Sequence, residues 1–294
     1  MSRYEYRLVD VFTAERFGGN PLAVFPQAEG IDPAIMQRIA CELNLSETTF
    51  VLPTTHTGCD FQVRIFTPHI EMPMAGHPTV GTAWVLDHGD RVTFLEQVGP
   101  IVVERVLAVS GTPMWQMTQL LPAWGPRLND RDLVADMLGL SVVDLAPDLP
   151  IEVITCGAPF LFVPLRNVDA LGRARVRPDR WEAIAAQAPA AHGAFCFTIN
   201  TGDPTITARS RMFAPAAGVA EDPATGSASG PLGCYLVRYG LIAAAAPARI
   251  LSLQGVEMGR PSYVHIEIEC GPEEITAVRV AGACVAVGGG YIEL

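Results

Sequence analysis

Glu71-Met72-Pro73-Met74-Ala75-Gly76-His77 and Glu221-Asp222-Pro223-Ala224-Thr225-Gly226-Ser227 are two versions of one heptapeptide, 150 residues apart. The acidic residue, the proline and the glycine hold their places while the residues between them change. Three further matches keep the same order. Gly19-Asn20-Pro21-Leu22-Ala23-Val24 resembles Gly157-Ala158-Pro159-Phe160-Leu161-Phe162, Arg64-Ile65-Phe66-Thr67-Pro68 resembles Arg211-Met212-Phe213-Ala214-Pro215, and Gly111-Thr112-Pro113-Met114-Trp115 resembles Gly259-Arg260-Pro261-Ser262-Tyr263. Common Gly and Pro turns can produce any one of these by coincidence. Four in one order at nearly constant spacing predict two copies of a half-chain fold.

Local patterns agree with a repeat. Tyr6 to Phe12 and Ala23 to Phe25 read as strands around a Gly-Gly-Asn-Pro turn. Asp32 is an N-cap with Pro33 at the first helical position. Ile35, Met36, Ile39, Ala40 and Leu43 follow helical spacing, and Asn44 suits the stop. Thr48 to Leu52 reads as a strand. In the second half, Pro178 to Gln187 reads as a helix with Trp181, Ile184 and Ala185 on one face, and Ala194 to Ile199 as a strand. A second helix follows each Gly-His or Gly-Ser step, from about Pro78 to Leu86 and from about Ala228 to Tyr239, with Gly240 as the C′ residue. The small, apolar composition of Thr79 to Leu86 suits a helix buried inside a wrapped sheet. The expected class is therefore α/β, of the α+β kind, with two similar pseudo-symmetric domains, 1–122 and 123–294. Pro122, Gly125 and Pro126 mark the junction, and the tail after about residue 280, without a counterpart in the first half, is a candidate strand returning to it.

Composition bounds the function. Of 294 residues, 49% are hydrophobic and 17% charged, which predicts a large core and excludes a disordered chain. The net charge of −11 argues against a nucleic-acid partner. The longest stretch free of charged residues, Val106 to Pro126, is broken by Gly111, Pro113, Gln116, Gln119 and Pro122, so no membrane span is expected. The first residues carry no apolar signal core, and the seven cysteines form no C-x-x-C pair, which together predict a cytoplasmic protein with reduced thiols. No His or Cys spacing supports a metal site.

Helix N-termini present unpaired amides and a partial positive charge, and so bind carboxylates and developing oxyanions. Gly76-His77-Pro78 and Gly226-Ser227-Ala228 both sit at expected helix starts, and a pseudo-twofold arrangement turns both toward one cleft. Ordinary capping is the plain alternative for each step alone. The divergence between halves favours a site: Asp222 stands where the first half has Met72, Ser227 where it has His77, and the second half has His192-Gly193 and no carboxylate near the place of Glu47. Glu47, between Leu45 and Phe50, is in apolar company, which raises a carboxyl pKa toward a usable acid or base; a solvated loop glutamate is its alternative. Glu71 and Glu221 match each other and read as structural.

Asp10-Val11-Phe12-Thr13, Gly19 to Val24, Ser46-Glu47-Thr48-Thr49-Phe50, Gly76-His77-Pro78-Thr79-Val80-Gly81 and Glu221 to Ala228 together resemble the PhzF-like family of phenazine biosynthesis proteins, over nearly the whole chain. The resemblance implies the diaminopimelate epimerase fold, with a site between two α/β halves. It also implies an isomerase of the kind that converts trans-2,3-dihydro-3-hydroxyanthranilate to its ketone tautomer with no metal and no organic cofactor, and a homodimer. By position, Glu47 is implied as the acid/base, His77 and Asp222 as the groups that bind and polarise the substrate, and Ser46, Gly76, Thr225, Gly226 and Ser227 as the residues that frame a small carboxylate. Racemases and epimerases of this fold use one cysteine before each helix-start glycine, and this chain has Ala75 and Thr225 there, so a two-thiol mechanism is not available. Three other readings remain: an isomerase or epimerase of another small acid, a Ser227-His77-Asp222 hydrolase, against which stands the missing G-x-S-x-G elbow, and a non-catalytic small-acid binder.

Overall fold

A computed structural model describes residues 2–243, 247–272 and 274–294. Its first helix, Pro33–Leu43, forms where capping chemistry and apolar spacing coincide. Asp32 accepts a hydrogen bond from the Ala34 amide at 2.8 Å, and Asn44 ends the helix in the left-handed region, at φ 49°. Its buried residues Met36, Ile39 and Ala40 lie over Phe25, Phe50 and Phe66. Phe25 stacks on Phe50 at 4.8 Å, and Phe66 meets Phe50 edge-on at 5.6 Å. Burying each large side chain there contributes roughly 1.5–3 kcal/mol. The helix joins two parallel strands, Asn20–Phe25 and Glu47–Leu52, with Leu22 opposite Glu47.

Hydrogen bonding links the strands into two runs of eight. The first run is Cys284–Glu293, Arg3–Val11, Asn20–Phe25, Glu47–Leu52, Phe61–Phe66, Arg91–Glu96, Gly99–Leu107 and Pro113–Gln119. The second is Ala123–Leu128, Ile151–Thr155, Pro159–Pro164, Ala194–Thr198, Ala208–Ala214, Ala248–Gln254, Ser262–Cys270 and Ile275–Gly282. In both runs the third and fourth strands are parallel, the fifth and sixth are parallel, and all other neighbours are antiparallel. The runs join through their eighth strands, with Gln119 opposite Val278. The chain's last strand thus takes the place in the first run that Ala123–Leu128 takes in the second.

Each run curls round one helix, Gly76–Leu86 in the first and Gly226–Arg238 in the second. Residues 76–83 and 226–236 are all buried, which an apolar, small-residue helix permits on every face. This is the expected α/β architecture. The two central helices begin two residues earlier than the sequence predicts, at Gly76 and Gly226 rather than Pro78 and Ala228. Pro78 marks the third helical position, where a missing amide costs nothing, and not the first. The second central helix ends at Arg238, and Gly240 follows at φ 64°. Pro178–Gln187 is helical with Trp181 and Ile184 buried, while two short helices that the sequence pattern did not reveal, Arg131–Met137 and Val168–Arg173, cover the second run beside it. No helix among the described residues is long and apolar enough to cross a membrane.

Candidate active site

The central helices meet at their N-termini. A Cβ on Gly76 would lie 2.4 Å from the Ser227 nitrogen, so only glycine allows this approach. The glycines therefore serve helix-to-helix contact as well as access for a ligand. The caps Ala75 and Thr225 give no side-chain bond to the helices they precede. The amides of Gly76, His77, Gly226 and Ser227 find no protein acceptor among the described residues, as helix starts require. They border a cavity of about 320 Å³.

All eight residues singled out from the sequence line this cavity: Ser46, Glu47, Gly76, His77, Asp222, Thr225, Gly226 and Ser227. Glu47 opens its strand directly after the helix stop at Asn44, which aims it inward. Its Oε2 is buried without a hydrogen-bond partner and lies 3.4 Å from His77 Nδ1. Burial holds the Glu47 carboxyl well above the usual carboxylate range, and the negative charge of Asp222 raises it further. Burial also pushes the His77 imidazole down to about 3, against the opposing effect of the Pro21 carbonyl. Burial thus disfavours the charged form of both groups, so the contact is not built as an ion pair.

Asp222 ends the short strand Val219–Asp222 and is differently placed. Its Oδ1 accepts from Asn20 Nδ2 at 2.7 Å and its Oδ2 from Thr225 Oγ1 at 2.6 Å. Burial pushes it up to about 6, while Thr225, Asn20 and Ser46 hold it down. Two carboxyl groups thus share one cavity with opposite support: Asp222 is solvated by donors and Glu47 by none. Such a pair divides acid and base roles by environment. Thr225 gives its proton to Asp222, so its hydroxyl reaches the cavity already committed.

Most of the remaining wall is apolar, with Met72, Met74, Phe160, Met212 and Val219. Met72 is the residue matched to Asp222. Leu161 pairs with Ala194 as its match Ala23 pairs with Thr48, which sets Gly193 at the position corresponding to Glu47. A Cβ on Gly193 would fall 2.3 Å from the Phe213 carbonyl oxygen, so the second half has no room for a carboxylate there. Asn20, matched by Ala158, is a polar contributor that the sequence reasoning left unassigned. His192 lines the opposite wall, edge-on to Phe160 at 6.0 Å.

The symmetric pair Glu71 and Glu221 is structural. Arg64 grips Glu71 with two bonds of 2.7 Å, and Arg211 grips Glu221 with bonds of 2.8 and 2.7 Å. A hydrolase triad does not form among the described residues: His77 Nδ1 faces Glu47, and Asp222 is engaged by Asn20 and Thr225. Ala75 and Thr225 occupy the two cap positions where a two-thiol racemase needs cysteines.

The family model described as phenazine biosynthesis-like protein matches residues 9–290. The trans-2,3-dihydro-3-hydroxyanthranilate isomerase of Pseudomonas fluorescens is 40% identical over 294 residues, covering 99% of this chain and all of the relative. The crystal structure of the Bacillus anthracis phenazine biosynthesis protein of the PhzF family superposes with a TM-score of 0.91 at 27% identity, with both chains fully covered. A hydroxyproline epimerase from Agrobacterium vitis shares the fold, with a TM-score of 0.64 at 11% identity, over 99% of this chain and 92% of the other. The sequence match, the paired central helices and the cavity between them agree: the chain belongs to the phenazine biosynthesis-like (PhzC-PhzF) family and is one of its isomerases.

Proposed function

We propose that this isomerase moves a proton along a small, conjugated carboxylate substrate, as trans-2,3-dihydro-3-hydroxyanthranilate isomerase does, with Glu47 as the acid/base. The observation that carries the reading is the buried, donor-free Glu47 carboxyl facing the same cavity as a donor-supported Asp222. A carboxyl group with a raised pKa is a strong base once ionised and a ready acid once protonated. Ionised, Glu47 takes the proton from C3, and the C–H electron pair enters the conjugated system. The same proton, now on Glu47, is delivered to C1, which leaves an enol across C3 and C4; that enol becomes the ketone when its hydroxyl proton leaves oxygen and a proton joins C4. No atom is gained or lost.

His77 and Asp222 bind and polarise the substrate's polar groups. The substrate carboxylate lies at the helix starts, among the amides of Gly76, His77, Gly226 and Ser227, with Ser46 and the Ser227 hydroxyl beside it. Among the described residues no lysine or arginine lines the cavity, so amide donors and helix dipoles are its anion-binding groups. Every step is assigned to the chain's own residues. The division at 122/123, a cytoplasmic location, and a homodimer that binds neither nucleic acid nor membrane belong to the same proposal, supported by the repeat, the acidic charge and the family resemblance.

The test is the purified protein with dihydrohydroxyanthranilate, following the ultraviolet change and hydrogen exchange at C3 in deuterated water. Glu47→Gln is expected to fold, to bind the substrate and to lose turnover by about 10²- to 10⁴-fold. Full activity in that variant would remove Glu47 from the mechanism.

A further inference from the structure

The sixth strands of the two runs end in matched positions, at Glu96 and Gln254. Gln62 pairs with Leu95 just before the first, and Arg209 pairs with Leu253 just before the second. Both side chains are buried, Glu96 at 4% and Gln254 at 1% exposure. Each reaches the cap of its central helix by a different route. Glu96 Oε1 lies 2.5 Å from Thr79 Oγ1, which donates to the Ala75 carbonyl at 2.7 Å. That chain of bonds ends on backbone, at a helix cap.

Gln254 does more. Its Oε1 accepts from the Thr225 amide at 3.1 Å, and its Nε2 donates to the Asp222 carbonyl at 2.8 Å and to Thr225 Oγ1 at 3.0 Å. The amide orientation is forced, because a flipped carboxamide would set its NH₂ against the Thr225 N–H and its oxygen against the Asp222 carbonyl. With Nε2 on one lone pair of Thr225 Oγ1, the single hydroxyl proton has one destination, Asp222 Oδ2. Gly255, at φ 75°, lets the strand end press against this loop: a Cβ there would lie 2.6 Å from the Pro223 carbonyl oxygen.

We propose that Gln254 is a positioning residue for catalysis, which orients the Thr225 hydroxyl toward Asp222 and so keeps that carboxylate ionised and fixed at the cavity wall. Gln254 does not line the cavity and touches no substrate; it acts through Thr225. A glutamine suits the task because one end must accept and the other must donate. An ionised glutamate offers only acceptors, whereas a protonated one offers both. This rests on the proposed role of Asp222, but its primary test needs no substrate.

The charged and titratable groups facing Asp222 are Glu47, with His77 behind it, and Glu221, paired with Arg211. The Asp222 carboxyl is followed by carbon NMR in protein labelled at aspartate, its resonance identified by loss in Asp222→Asn. Gln254→Leu is expected to raise the Asp222 midpoint by about one unit and to lower turnover about tenfold or more with little change in KM. Glu96→Gln, the same position in the other half, leaves the Asp222 midpoint where it is. Gln254→Met, unbranched like glutamine but without its donors and acceptor, is expected to do the same as Gln254→Leu. This variant keeps the test open should the leucine variant not fold. An unchanged Asp222 midpoint in folded Gln254→Leu or Gln254→Met overturns the proposal. A shifted midpoint together with an inactive parent enzyme would leave Gln254 in place and overturn only the substrate reading.

Discussion

The two central helices start from the same backbone and present different chemistry. Both follow a short strand, both begin at a glycine pressed against the other helix, and both strands carry a glutamate gripped by an arginine. Around that shared frame, Met72 is matched by Asp222, His77 by Ser227, and Glu47 by a glycine with no room for a side chain. What repeats holds the helices in place, and what differs lines the cavity. A substrate whose two ends are unlike needs that difference, because a symmetric cleft would hold it in two orientations.

Erasing the difference tests this most severely. Asp222→Met gives the second half the residue of the first, and turnover is expected to fall by at least about 10²-fold. The change also leaves Asn20 Nδ2 and Thr225 Oγ1 without their acceptor, at a cost of about 1–3 kcal/mol. Circular dichroism of the variant separates the two effects: a native spectrum with lost turnover supports the reading, and retained turnover removes Asp222 from it.

The shared frame should respond in stability, and unequally. Arg211 is 1% exposed and, besides Glu221, donates to the carbonyls of Leu171, Gly172 and Ala174. Arg211→Met is expected to cost about 3–5 kcal/mol, since it leaves the Glu221 carboxylate without its partner and takes one donor from each of three carbonyls. A urea midpoint that moves by less than the equivalent of about 1 kcal/mol would contradict that. Gly76→Ala comes next. Its methyl group must displace the Ser227 backbone, so it is expected to cost about 1–3 kcal/mol in the same measurement, whereas a glycine kept only for ligand access would be neutral.

Much of this was legible before any coordinates. Turn residues punctuate sequence strongly, so the repeat showed through its Gly and Pro positions. The site followed from asking where matched positions diverge. Asn20 was within reach by the same question, because Ala158 stands opposite it in the first matched pair, but a polar residue in a Gly-Asn-Pro turn has a sufficient local explanation. Gln254 was not within reach. Alternate burial of Ala248, Ile250, Ser252 and Gln254 says only that it points inward, and its counterpart Glu96 lies in no matched motif. The helix starts were set two residues late because Pro78 is compatible with any position of a first turn. The short helices Arg131–Met137 and Val168–Arg173 carry too few turns for periodicity to register.

The smallest effect separates the matched ion pairs from each other. Arg64 and Glu71 keep 21% and 24% of their side-chain surface exposed, so water already solvates both partners in part. Arg64→Met is expected to cost less than about 1 kcal/mol at neutral pH. The bond from Arg64 holds the Glu71 carboxyl below its ordinary value of 4.5. Its contribution is therefore present above that ordinary value and is lost as pH falls through the lowered one. Parent and Arg64→Met should converge in stability as the pH falls through that lowered value, as read from thermal midpoints across a pH series. Arg211→Met should not converge with the parent there, because low pH does not replace the bonds that Arg211 gives to the carbonyls of residues 171, 172 and 174. Convergence of both variants would mean that the second pair is held by charge alone, and that the buried arginine does nothing its exposed twin does not.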